Sequence, residues 1–129
     1  MKKLTLLLLL LIVSTNVLSD WTEIVDNTDL TSYIDFGTIK RKGNKVKMWS
    51  LRDLKIVQKL GENDSFLSSV THEEYDCEEE TVRTLDFYFY SGNMRGGEVV
   101  TSQSNIKQEP ISIPPDSYSE NTFKIACGK

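Results

Sequence analysis

From Thr81 to Tyr90 the chain alternates with a period of two. Leu85, Phe87 and Phe89 fall on one side, and Asp86, Tyr88 and Tyr90 on the other. That is the pattern of a β-strand with two different environments on its faces. A second alternating stretch follows Gly43-Asn44, where Val46 and Met48 interleave with Lys45 and Lys47. Both turn residues tolerate positive φ, so Ile39–Leu51 is expected to be a hairpin. Trp49 and Leu51 carry apolar character onto the opposite parity. The far end of that strand should therefore be covered on both faces or carry a bulge.

Weaker patterns fill in the rest. Asp20–Val25 and Tyr33–Phe36 are rich in aromatic and β-branched residues and suggest short strands, separated by turn residues Asn27, Asp29 and Ser32. Asp53–Ser69 shows no clean period, with Gly61–Ser65 as a loop; Val70–Cys77 is a strand with a polar side. Ser91-Gly92-Asn93 and Gly96-Gly97 are stops that leave Met94-Arg95 at a loop tip, and Glu98–Ser102 is a last short strand. Pro110, Pro114 and Pro115 bar helix and central strand from the segment that follows, because each removes a backbone donor. Ser117 and Glu120 then have capping-box spacing, predicting a helix from Tyr118 to Ala126 with Gly128 past its end. Phe123 and Cys127 share one face of it. The expected fold is α+β: a small antiparallel sheet of five or six strands covered by one C-terminal helix.

Composition adds a compartment. Met1-Lys2-Lys3, the apolar run Leu4–Val13 and the small polar residues to Ser19 have the form of a secretory signal peptide cut before Asp20. The apolar run is half the roughly 20 residues that a membrane span needs. Residues 1–19 are thus read as signal peptide and 20–129 as one domain. No stable membrane span is expected after cleavage. Loss of Lys2 and Lys3 takes the formal charge from −4 to −6, which argues against a nucleic-acid partner, since such binding depends on phosphate neutralisation. Cys77 and Cys127 are the only cysteines. In an exported domain they most simply form one bridge, tethering the helix to the sheet.

The ordered set Trp21, Tyr33-Ile34-Asp35, Ile39–Val46 running into Met48-Trp49, Glu74-Tyr75-Asp76-Cys77, Tyr88–Tyr90, Met94, Gly96-Gly97, Val99-Val100, Ile113-Pro114-Pro115 and Cys127 resembles the surface-adhesin protein E family. The resemblance spans nearly all of residues 20–129. It implies an antiparallel sheet with a disulfide-tethered C-terminal helix and an exported or surface location. It also implies an adhesin that binds host matrix and serum proteins such as laminin, vitronectin and plasminogen, and that can dimerise. Two features depart from the family pattern. No cysteine follows the apolar run for lipid attachment, and Gln108-Glu109-Pro110 stands where a tryptophan is expected.

Candidate chemistry is sparse. Lys40, Arg41, Lys42 and Lys45, with Lys47, are the one basic cluster of an acidic chain. They suit an acidic partner, a heparin-like glycan or anionic headgroups, or serve as edge lysines that discourage strand pairing. Tyr88 and Tyr90, with Tyr33, form either an aromatic binding surface or packing beneath the helix. His72, Glu74 and Asp76 would share a strand face, but one histidine among scattered carboxylates lacks the spacing of a zinc site, and Glu78-Glu79-Glu80 is no calcium loop. No metal and no cofactor are expected. Without a nucleophile elbow or opposed carboxylates, no enzyme is expected either. The sequence reads as an exported, periplasmic or surface, non-catalytic protein that recognises another protein through its sheet face and loops, or alternatively as a periplasmic structural or assembly accessory protein.

Overall fold

The computed structural model describes residues 20–129; the expected signal peptide, residues 1–19, lies outside the described residues. Six strands follow one another as an antiparallel meander: β1 (Trp21–Asp26), β2 (Leu30–Lys42), β3 (Lys45–Leu60), β4 (Asp64–Asp76), β5 (Thr81–Tyr90) and β6 (Val99–Gln103). A two-residue β7 (Ile111–Ser112) pairs with the start of β5, while β6 pairs with its end. The sheet is therefore larger than expected. The proline segment contributes an edge pair, where a missing donor costs nothing on the solvent side.

Turn chemistry sets the register. Gly43 lies at φ 60°, and the hairpin closes with Lys42 opposite Lys45. Between β1 and β2 the Asn27 side chain accepts from the amides of Asp29 and Leu30 at 2.9 and 3.0 Å, an Asx turn. Asp53–Leu60, expected to be irregular, is the continuation of β3. Past a register shift it pairs with β4 as Gln58–Phe66 and Leu60–Asp64. Its period is lost because Lys55–Lys59 is solvent-exposed throughout, so no face selects apolar residues.

The expected bulge exists but on the neighbouring strand. Between Asp35–Trp49 and Lys40–Lys47 the β2 chain has extra residues against Met48 alone. Leu51 is nevertheless fully buried, as two-sided covering requires. In β5, Leu85 is itself the extra residue between Asp86–His72 and Thr84–Glu73. Its grouping with Phe87 and Phe89 on one face is thereby broken.

Helix α1 (Tyr118–Cys127) covers one face of the sheet. Its buried residues Thr122, Phe123, Ala126 and Cys127 meet Ile34, Val46, Met48, Tyr75, Cys77 and Val82 in the main core. The Tyr75 hydroxyl donates to Thr122 Oγ1 at 2.8 Å. At the N-terminus Ser117 Oγ accepts the Glu120 amide at 3.1 Å, as a capping box requires. The Glu120 carboxylate instead accepts from the Asp116 amide, one residue earlier than expected. Gly128, at φ 68°, closes the C-terminus with bonds from the Gly128 and Lys129 amides to Ile125 and Lys124, a Schellman motif. The Cys77–Cys127 disulfide joins Cα atoms 5.7 Å apart across 50 residues. Closing a loop of that length contributes about 4 kcal/mol through lost unfolded-state entropy.

Candidate ligand-binding face

Residues directly opposite one another in an antiparallel sheet share a face, so the register divides the side chains into two sets. Val46, Met48, Tyr75 and Val82 lie under the helix. The other face is free of the helix, and three rows cross it. Trp21, Asp35, Trp49, His72 and Asp86 are successive partners from β1 to β5. Beside them run Tyr33, Leu51, Val70 and Tyr88. On the other side come Lys40, Lys47, Glu74 and Arg83. Tyr88 and Tyr90 thus sit on the helix-free face, and of the two readings open for them, packing beneath the helix is excluded.

The middle of this face is aromatic. Trp49 stacks on His72 with ring centroids 4.5 Å apart and planes within 2°, and lies 6.4 Å from Tyr88. Leu51 and Val70 are buried beneath this layer, and both flank tyrosines in register. Trp21, Asp35, Thr38, Trp49, Tyr88, Tyr90 and Arg95 line an open cleft of about 410 Å³. Its base is fixed by ordinary ladder pairing, so the rings are presented on a rigid floor.

Arg95 reaches the cleft from a loop held under strain. Met94 and Arg95 have φ 51° and 62°, a region L-residues enter at a cost of about 1–3 kcal/mol each. Four bonds hold them there. Asp53 Oδ1 accepts the Met94 amide at 2.8 Å and the Asn93 side chain at 3.0 Å. The buried Ser68 Oγ accepts the Arg95 amide at 3.0 Å and donates to the Gly92 carbonyl at 2.6 Å. The loop closes tightly enough that a Cβ on Gly92 would lie 2.9 Å from the Gly96 carbonyl carbon. The Arg95 guanidinium ends 5.8 Å above the Tyr90 ring centroid.

The basic end of the face differs from a simple cluster. Lys40, Lys42, Lys45 and Lys47 are cross-strand neighbours on the helix-free side. Arg41, at the intervening position opposite the buried Val46, belongs to the other face, where its Nη2 donates to Cys77 Sγ at 3.3 Å. Arg41 thus divides its contacts: it lines the same depression as Lys40, Lys42, Lys45 and Lys47, while its guanidinium bonds the disulfide sulfur. Burial pushes the Glu74 carboxyl up, but the Arg83 guanidinium, bonded at 2.8 Å, and the charges of Lys45 and Lys47 outweigh it and hold the group below the usual carboxylate range.

His72, Glu74 and Asp76 do share a face, yet each is engaged elsewhere. His72 Nδ1 lies 2.8 Å from Asp86 Oδ2, Glu74 bonds Arg83, and Asp76 Oδ1 accepts the amides of Glu78 and Glu79. Asp86 is likewise pushed up by burial and drawn lower overall by His72 and the Asn105 amide. Trp21, Asp35, Trp49 and Arg95 belong to the site and were not singled out as site residues from sequence. For Trp49 the signal was available: it shares parity with Lys45 and Lys47. For Trp21 and Arg95 it was not, since only cross-strand register and loop closure bring them in.

A family model described as Surface-adhesin protein E matches residues 21–128. No curated protein matches the chain. Solved structures of Haemophilus influenzae protein E are similar in fold. One crystal form is 19% identical with a TM-score of 0.64, covering 88% of this chain and 91% of that one. A second structure is 20% identical with a TM-score of 0.58, covering 88% of each chain. Protein E from the non-typeable organism is 19% identical with a TM-score of 0.57, covering 88% of this chain and 79% of that one.

Proposed function

The chain belongs to the surface-adhesin protein E family, and on that footing we propose that it is an exported, non-catalytic binding protein, an adhesin for host matrix or serum proteins. The observation that supports this most is the helix-free face: an aromatic cleft grading into a field of lysines, on an otherwise acidic chain. Aromatic and arginine side chains on a rigid base are the groups that carry binding energy at protein interfaces. The helix and the disulfide lie on the other side and shape the sheet without entering the contact.

The test is binding of the mature, oxidised protein to immobilised laminin, vitronectin and plasminogen, with a Tyr88→Ala/Arg95→Ala variant alongside. Truncating two anchors of this kind should weaken binding at least tenfold, on the order of 1.4 kcal/mol or more. Equal binding by the variant would move the site off this face. Protease treatment of washed intact cells adds the location. Loss of the protein supports surface display, whereas full protection favours a periplasmic accessory role.

A further inference from the structure

We infer that the helix-free face takes a sulfated, uronate-bearing glycan chain, its pyranose rings laid over the aromatic cleft and its anionic groups on the lysine field and Arg95. This rests on that face being the binding surface, and names what it recognises.

Charge is the first argument. By register Glu23, Asp26, Asp35, Asp53, Glu74, Asp76 and Asp86 share this side with the cleft and the lysines, and all but Glu23 are engaged within the protein: Asp26 pairs with Lys55, and Asp53 accepts from Asn93 and Met94. Asp35 accepts the Gly37 amide, Asp76 the amides of Glu78 and Glu79, Glu74 the Arg83 guanidinium, and Asp86 bonds His72 and the Asn105 amide. By contrast Lys40, Lys42, Lys45, Lys47 and Arg95 form no ion pair among the described residues. The cations are gathered at one end of the face, where Lys40, Lys42, Lys45 and Lys47 line one depression with Glu74, itself paired with Arg83, so that end is positive on a chain whose formal charge is −4. Such a field attracts a polyanion and concentrates it locally.

Geometry is the second. The lysines and the cleft are continuous: Gly37, Thr38, Lys40, Lys47, Trp49 and His72 line one depression between them. From Lys45 to Asp53 the face extends about 27 Å at roughly 3.4 Å per residue, so cations lie at one end and Arg95 at the other, with rings between. A pyranose turns a face of polarised C–H groups toward a ring whose π-surface is negative, and its hydroxyls can donate to Asp35, which lines the cleft. A peptide strand would need an open sheet edge. Here the backbones of β2, β3 and β4 beneath the cleft are already paired on both sides.

Both tryptophans of the chain, Trp21 and Trp49, line the cleft, so their emission reports its occupancy. The mature oxidised protein should bind a heparin-derived octasaccharide with a change in tryptophan fluorescence, and neutral dextran should produce none. Affinity should fall as salt rises. In Lys45→Gln/Lys47→Gln, and separately in Tyr88→Ala/Arg95→Gln, it should drop by about tenfold or more, as loss of charge-assisted contacts and of a stacking ring predicts. Thermal melting would establish that both variants remain folded. Octasaccharide binding without a fluorescence change, or indifferent to Tyr88 and Arg95, would overturn the inference by placing the polyanion on the lysines alone. No octasaccharide binding, with retained binding to enzymatically deglycosylated laminin or vitronectin, would overturn it in favour of an acidic protein segment and leave the adhesin reading standing. Failure with both the octasaccharide and the glycoproteins would defeat the two together.

Discussion

Single residues show how one position in a strand can reverse a role. Arg41 sits between Lys40 and Lys42 in sequence and lines the lysine depression, yet its guanidinium also bonds the disulfide, which no lysine does. Arg41→Gln should therefore cost stability, about 0.5–1.5 kcal/mol for the lost contact, while Lys42→Gln should stay within about 0.5 kcal/mol of the parent. Urea midpoints of the two variants would check this; equal midpoints would return Arg41 to the lysine field. Glu73 carries a different strain. Burial beside the helix pushes its carboxyl up, against the pull of Arg52 and of the Tyr75 hydroxyl. A carboxyl raised in the folded state favours folding when protonated, so its contribution becomes unfavourable as pH rises through the folded value. Glu73→Gln should thus be at least as stable as the parent at pH 7.5 and lose that advantage as the pH falls toward the carboxylate range. A parent more stable than the variant only at high pH would contradict the sign.

At the scale of elements, what could be read from the sequence was whatever had a local cause. The strand Thr81–Tyr90, the Gly43-Asn44 hairpin and the capped helix each follow from period, turn or cap chemistry within a dozen residues. The second half of β3 did not, because exposure on both faces erases its pattern. The bulges at β2 and Leu85 did not either, since a bulge is a relation between two strands. The same divide applies to the binding face: Lys40, Lys42, Lys45, Tyr88 and Tyr90 were visible as types, but their assembly with Trp21, Trp49 and Arg95 depends on register. The helix depends on its tether as much as on its cap. Removing both sulfurs in Cys77→Ala/Cys127→Ala should lower unfolding free energy by about 4 kcal/mol. Ser117→Ala should lower it by about 1 kcal/mol. Chemical denaturation followed by far-ultraviolet dichroism would resolve the two, and a loss for the double variant no larger than that for Ser117→Ala would mean the tether is incidental.

For the whole molecule, the sheet separates construction from recognition. One face carries the main core, helix and disulfide; the other carries rings and lysines without an ion pair among the described residues, on a floor made by strand pairing alone. A prediction follows at this scale: the double cysteine variant, studied below its own melting temperature, should keep the fluorescence response of Trp21 and Trp49 to any ligand the parent binds. Loss of that response in a folded variant would show that the two faces are coupled.

The meander also governs how the chain reaches this state. Every strand from β1 to β5 pairs with its successor in sequence, so each hairpin can close over a short loop, the cheap kind of contact in folding kinetics. The short β7 and the helix are the exceptions: β7 returns to the start of β5, and the helix has a seat on β3 and β4 only once those strands have met. Cys77 is synthesised 50 residues before Cys127, and no third thiol competes for either. The chain therefore has a single intramolecular pairing to find, with no disulfide isomers to sort.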